Sequence, residues 1–208
     1  MVKALLTRFR RDEDGISLTE GLIVFPLMVL VISAMIEFSY AMYQWNQAVK
    51  AVQMGARKAA VSCPLTSDFN AVFAFNAALG GQLISADGSK VSRCGYGMPK
   101  QCDDARITAL VDGPASNPEN FAWKGMRRYL NRDGFDKDNV VVIYEQSGLG
   151  YHGRPSGPVV SVRLELRNLT FDLPVVGALL SLPDITVPSF PVSVSTEDLR
   201  SGPNDDCS

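Results

Sequence analysis

The chain has 208 residues, with 20 Lys and Arg against 22 Asp and Glu and a single His, a formal charge of −2. That balance removes the attraction to phosphate on which nucleic-acid binding depends, so no nucleic-acid partner is expected. Charged residues make up 20%, mean hydropathy is +0.05, and the apolar excess is concentrated near the N-terminus, which argues against a simple cytosolic enzyme.

Residues 1–15 form a leader carrying Lys3, Arg8, Arg10 and Arg11. From Leu22 to Ile36 no side chain is charged. A bilayer core takes about 20 mostly apolar residues in a helix. The segment from about 21 to 43 supplies them, with Glu37 as its interior charge and Tyr40, Tyr43 and Trp45 at the far end, where amphipathic rings favour the interface. The basic flank predicts a cytoplasmic N-terminus, a single pass, and an extracytoplasmic remainder. A secretory signal peptide is the rival reading, but its apolar region spans only about 7–15 residues. Here the helical pattern continues beyond the run. Trp45, Ala48, Val49, Val52, Ala56, Ala59 and Ala60 follow steps of three and four and share one face, while Asn46, Gln47, Lys50, Gln53, Arg57 and Lys58 take the others. A long helix over 16–63 is expected, halted by Cys63-Pro64. Pro26 predicts a kink or local unwinding. Only the first half of the helix suits lipid; the Ala-rich half should lie on a globular domain or a neighbouring subunit.

Residues 64–208 should form an extracytoplasmic α+β domain. Ser67-Asp68 can cap a short helix through Leu79, with Phe69, Val72, Phe73 and Leu79 facing inward. Asp87-Gly88 and Gly95 to Pro99 carry turn chemistry. Asp103 can cap a helix through Val111. Asn117-Pro118-Glu119 reads as a helix start, with Ala122, Met126, Tyr129 and Leu130 as its apolar stripe. Val140 to Tyr144 is a strand, and Val160, Val162, Leu164 and Leu166 alternate with polar residues in another. Ser147 to Pro158 is a long hairpin loop. Ile185 to Thr196 supplies a third strand that Pro188 and Pro191 push to an edge. Pro174 to Leu182 is apolar and expected in the core. The tail from Ser201 is polar. The sum is a small antiparallel sheet with short helices, packed on the Ala-rich half of the long helix.

Cys63, Cys94, Cys102 and Cys207 form an even set, which outside the cytoplasm favours disulfides. Four cysteines allow three connectivities; Cys94–Cys102 closes the shortest loop, and Cys63–Cys207 would then tie the tail to the end of the long helix. A zinc site has neither CxxC spacing nor a His pair, so no metal is expected. His152 lies in the Gly/Pro loop with no acid or nucleophile placed beside it. Asp133, Asp136 and Asp138 offer oxygens but lack EF-hand spacing and read as a polar turn. No catalytic set and no cofactor motif emerges, and an enzyme is not expected.

The junction Arg10-Arg11-Asp12-Glu13-Asp14-Gly15-Ile16-Ser17-Leu18-Thr19-Glu20 resembles the prepilin peptidase site of type IV pilins and pseudopilins. The resemblance implies cleavage between Gly15 and Ile16, loss of the leader, and Glu20 as the fifth mature residue. There a carboxylate can pair with the new amino terminus of a stacked subunit. More narrowly, Gly15, Glu20, Phe25-Pro26, Glu37 and Gly55-Ala56-Arg57-Lys58-Ala59-Ala60 resemble the TadE-like family of the tight-adherence (Flp) pilus system. Gly21 stands where such sites often carry Tyr. Val194 to Arg200 is also similar to the family.

This resemblance implies a minor pseudopilin of the bacterial inner membrane, with its C-terminal domain periplasmic or on the pilus. Its implied partners are other pilins and pseudopilins, the inner-membrane assembly platform, prepilin peptidase and the lipid bilayer. Small residues such as Gly55, Ala56, Ala59 and Ala60 would allow close helix contact. Glu37, about 32 Å along the helix from Ile16 at 1.5 Å per residue, is expected near the outer interface with its carboxylate in water. The competing function is a periplasmic binding or enzymatic domain on an uncleaved signal anchor.

Overall fold

A helix of 47 residues, α1 (Asp14–Ala60), is the longest element. The computed structural model describes residues 14–74, 77–114, 123–130, 132–154, 157–171, 173, 175–180, 185–186, 189–196 and 207. The local unwinding expected at Pro26 is not met: α1 continues through it. A proline removes one N–H from the ladder, and the hydrogen bonds on either side suffice to carry the turn past it. The helix stops at Ala60. Beyond it Val61 N–H donates to Lys58 O (3.3 Å), and Ser62 Oγ donates to the same carbonyl (2.5 Å), giving a terminal C=O the partners it lacks inside the helix.

The chain forms two units, Met1–Tyr43 with Asp172–Ile185, and Gln44–Phe171 with Thr186–Ser208. In the first unit the apolar side chains of α1 point outward; Leu22, Ile23 and Phe25 are each about 70% exposed. Glu37 is buried there.

The second unit is an α+β layer structure. Its sheet contains β1 (Ala86–Gly95), β2 (Val140–Ser147), β3 (Ser161–Leu166) and β4 (Val192–Ser195) in the order β1-β2-β3-β4, all antiparallel. The pairs Val140↔Leu166, Val142↔Leu164 and Tyr144↔Val162 put a continuous row of fully buried apolar side chains on one face. In β3 the sequence shows this period of two, whereas β2 opens on a continuous apolar run, Val140 to Tyr144, that is buried throughout. β4 begins directly after Pro191 and sits at the edge, where a missing N–H costs least.

Against this core lies the stretch of α1 from Gln44 onward. Ala48, Ala51, Val52, Ala56, Ala59 and Ala60 are all buried in the same cluster as the sheet residues, while Asn46, Lys50, Gln53 and Arg57 remain exposed. Small side chains bring the helix backbone close. A Cβ placed on Gly55 would come within 2.7 Å of Met126 Sδ and 3.1 Å of Leu164 Cδ2. Trp45 packs on Phe190 with ring centroids 4.8 Å apart.

Several local expectations are corrected. The helix expected from Ser67-Asp68 through Leu79 shrinks to α2 (Phe69–Val72) and a separate 3-10 turn at Ala77–Leu79. Asp68 makes no side-chain cap bond. Its carboxylate is taken by Ser92 Oγ (2.5 Å) and Lys100 Nζ (2.5 Å), so the first turn loses its anchor. Asp87-Gly88 is not a turn between elements but a bulge within β1. Asp87 pairs with Gln146 and Val91 with Glu145, so Gly88, Ser89 and Lys90 are extra on one strand. The Asp87 carboxylate accepts from Ser89 N–H (3.0 Å) and Ser89 Oγ (2.6 Å), the same local chemistry used inside a strand.

The helix expected to carry Met126, Tyr129 and Leu130 is only a 3-10 turn at Met126–Arg128. Gly125 before it has φ +82°, which a right-handed helix cannot include; Met126 and Leu130 are nevertheless buried. The helix start at Asn117-Pro118-Glu119 and the tail from Ser201 to Asp206 fall outside the described residues. Asp103 does cap α3 (Asp104–Val111), accepting from Arg106 N–H at 3.0 Å. Of Pro174 to Leu182, expected in the core, the described part forms α4 (Val176–Leu180) in the first unit, and Val175 and Leu179 are 51% and 61% exposed rather than buried.

Two predictions concern this packing. Gly55→Leu would force Met126 and Leu164 aside. It is expected to lower unfolding stability by about 2 kcal/mol, net of the roughly 1 kcal/mol that losing a helical glycine returns, as read by urea titration of the detergent-solubilised chain.

For Asp68, burial alone would raise the carboxyl pKa, but the hydrogen bonds from Lys100 and Ser92 and the Lys100 charge hold it below the ordinary 3.8. A carboxyl depressed in the folded state adds stability above the unfolded value and loses it as pH falls through the folded one. Asp68→Asn should therefore lower Tm at neutral pH and show a smaller further loss below about pH 4, as measured by thermal melts across that range.

Candidate functional site

The junction singled out from sequence lies at the start of α1. Gly15 and Ile16 fall in its first turn, and Glu20 stands exposed one turn later. The basic residues Lys3, Arg8, Arg10 and Arg11 lie outside the described residues. Beyond Glu20 the exposed apolar surface continues through Met35 and Ile36 to Phe38. Among the described residues this is the one helix long and apolar enough, by length and composition, to cross a membrane.

Glu37 departs from expectation. Its carboxylate does not face water: the residue is 6% exposed and accepts a hydrogen bond from the Val175 N–H. A carboxylate loses much of its hydration on burial, so hydrogen bonds to the charged form must replace it. The partner lies 138 residues away, in an apolar segment bounded by Asp172 and Asp184. The available sequence signal was length: eleven uncharged residues, Leu173 to Pro183, are too few to span a bilayer.

The exit of α1 is fastened by groups that sequence spacing did not single out. Leu65 N–H donates to Tyr144 Oη (3.2 Å), and Asp103 N–H donates to Leu65 O (2.9 Å). Arg106 Nη1 donates to Pro64 O (2.7 Å), and Arg106 Nη2 to Cys207 O. Burial raises the Tyr144 hydroxyl well above its ordinary 10.0, keeping it neutral; the T-shaped contact with Phe69, centroids 5.2 Å apart, holds its ring. The cysteines adopt one of the three connectivities left open by the sequence. Cys63 joins Cys207 and Cys94 joins Cys102, with Cα separations of 5.5 and 4.9 Å.

The remaining candidates separate. His152 pairs through its backbone with Gly81 and Gln82. Asp136 caps the 3-10 turn Lys137–Asn139, with Asn139 returning a side-chain bond to Asp136 N–H, so this carboxylate has a structural task. Among the described residues no three His, Cys, Asp or Glu side chains gather to hold a metal ion. An open groove of about 590 Å³ beside the helix exit is lined by Val61, Leu65, Leu110, Trp123 and the aliphatic parts of Lys58 and Arg106. Its described lining brings no carboxylate or imidazole together with a nucleophile, and Cys63 there is disulfide-bonded.

Comparison with known proteins bears on α1. Residues 15–57 match the family described as TadE-like protein, the match opening on Gly15 and ending at Arg57. No curated protein and no solved structure matches the chain. The chain thus carries a TadE-like family domain at residues 15–57, built on an N-terminal hydrophobic helix, and the family implies a pilus-related role.

Proposed function

We propose that the protein is a membrane-anchored minor pseudopilin acting in assembly of a Tad/Flp-type pilus. The leader is removed between Gly15 and Ile16, the segment from about 21 to 43 spans the inner membrane, and the disulfide-bonded domain lies outside the cytoplasm. The observation that carries this reading is the division of α1. Its apolar surface from Leu22 to Ile36 is exposed, whereas from Ala48 to Ala60 the same helix buries a stripe of small residues in its own domain. A helix in water does not leave twelve large apolar side chains uncovered in one run; a helix in lipid, or against other pilin helices, does.

In this reading Glu20 is the assembly residue. Next to the membrane its carboxylate has a partner when the Ile16 ammonium of a neighbouring subunit approaches, each offsetting the other's desolvation. No reaction is assigned to the chain, and other pilins, the assembly platform and prepilin peptidase are its proposed protein partners. A domain on an uncleaved signal anchor would keep Met1 as its terminus, which makes the mature N-terminus the discriminating fact.

Two experiments test the proposal. Mass spectrometry of protein from native membranes should find Ile16 at the terminus; a stable terminus at Met1 would reject the pseudopilin reading. In a Glu20→Ala strain, an immunoblot should show normal insertion and processing while piliation is lost, since breaking a buried pair costs about 3–5 kcal/mol. Normal pili would reject the role of Glu20. For topology, alkylation of native membranes without reductant should label none of Cys63, Cys94, Cys102 and Cys207; labelling of all four would place the domain in the reducing cytoplasm.

A further inference from the structure

We infer that α4 and its flanks form a second membrane-contacting element, lying in the outer leaflet beside the spanning helix and held there by Glu37. The inference rests on the proposed span and goes beyond it.

An apolar run of this length has three common fates: a buried core element, a re-entrant segment, or an interfacial one. The eleven residues from Leu173 to Pro183 carry no charge, and Asp172 and Asp184 bracket them. The described side chains of the run argue against the first fate. Val175 and Leu179 are 51% and 61% exposed and Leu173 is half-buried, while Gly177 is the buried position. Among the described side chains, Val175 and Leu179 thus face outward while the backbone at Gly177 is covered. A soluble surface gains nothing from that arrangement, but a lipid-facing one does, because hydrocarbon is a good solvent for Val and Leu.

Position along α1 identifies the lipid level. Within the proposed span of about 21 to 43, Glu37 lies about 9 Å short of the outer end at helical rise, in the outer leaflet of a core about 30 Å thick. Its carboxylate accepts the Val175 N–H, which fixes α4 at that height. Tyr40 and Tyr43, both more than half exposed, stand on the next turns of α1, where an aromatic belt marks the interface. The exposed apolar surface of α1 is thus continued by Val175 and Leu179 in the same compact unit. The hydrogen bond also removes two liabilities together. The buried carboxylate gains a donor, and an N–H ahead of a short helix, which no helical carbonyl would satisfy, gains an acceptor.

The test uses the full chain in vesicles of phosphatidylethanolamine and phosphatidylglycerol at three to one. All four native cysteines are paired, so Leu179→Cys, Met28→Cys and Lys124→Cys each offer a single thiol for an environment-sensitive nitrobenzoxadiazole dye. Spin-labelled lipids, with the label near the headgroup or near the chain end, report depth. At Met28 the chain-end label should quench more strongly, and at Lys124 neither should quench. At Leu179 the headgroup-side label should quench at least about twofold more than the chain-end label, matching burial of roughly 5–10 Å. Glu37→Ala should reduce the Leu179 quenching, and Glu37→Gln, which keeps an acceptor oxygen, should restore it.

Quenching at Met28 with none at Leu179 would overturn the inference while leaving the span intact. No quenching at Met28 would remove the span itself. Leu179 quenching that vanishes on dilution of protein into lipid would assign the surface to a second subunit and also overturn the inference. Leu179 quenching unchanged in Glu37→Ala would overturn the role given to Glu37.

Discussion

The close approach of a small-residue helix face to a β-sheet is the constraint on which the sheet-bearing unit depends. Where α1 carries Ala51, Val52, Gly55, Ala56 and Ala59, its backbone comes near enough for Met126 and Leu164 to occupy the space above Gly55. Such a face buries little area per residue, so the large side chains come from the other partner: Tyr144 and Val142 on β2, Leu164 and Leu166 on β3, and Phe69 and Phe135 from the connections. The helix supplies flatness and the sheet supplies bulk. This division explains why Met126 is fully buried although the helix expected around it does not form: the seat on α1 requires a long flexible side chain there, whatever backbone delivers it.

A helix packed along its domain keeps its register only if its end is fixed. Here the residues after Ala60 are held by main-chain bonds to Tyr144, Asp103 and Arg106 and by the Cys63–Cys207 bridge. In the chain-entropy account, a cross-link over 144 residues restricts the unfolded chain by close to 5 kcal/mol. The Cys94–Cys102 bridge closes a loop of eight and constrains it less. The larger contribution thus falls just beyond the C-terminal end of α1.

Legibility in the sequence followed the range of the interactions involved. The long helix, the Asp103 cap, and the alternation in β3 are written in spacings of two to four residues, and they match the structure. The edge position of β4 was readable from Pro191. The parts that differ depend on distant partners. Asp68 would cap a helix, but Ser92 and Lys100 compete for its carboxylate. Asp87-Gly88 makes the Asx geometry of a turn, yet pairing with Gln146 and Glu145 keeps it inside a strand. Of the candidate site, the order Gly15, Ile16, Glu20 ahead of an apolar run was legible because it is local. The partner of Glu37 was not, because an N–H 138 residues away leaves no mark on the helix that carries the acid.

The two bridges also differ in when they can exist. Cys94 and Cys102 are made within moments of each other during synthesis, so their loop can close while the rest of the domain is still emerging. Cys63 must wait for the 144 residues that separate it from Cys207. Throughout that interval the end of α1 is attached to its domain by chain connectivity and whatever packing has formed, and the latch engages only when synthesis has passed residue 207. A chain that stops short of Cys207 therefore retains Cys63 as an odd thiol at the C-terminal end of α1.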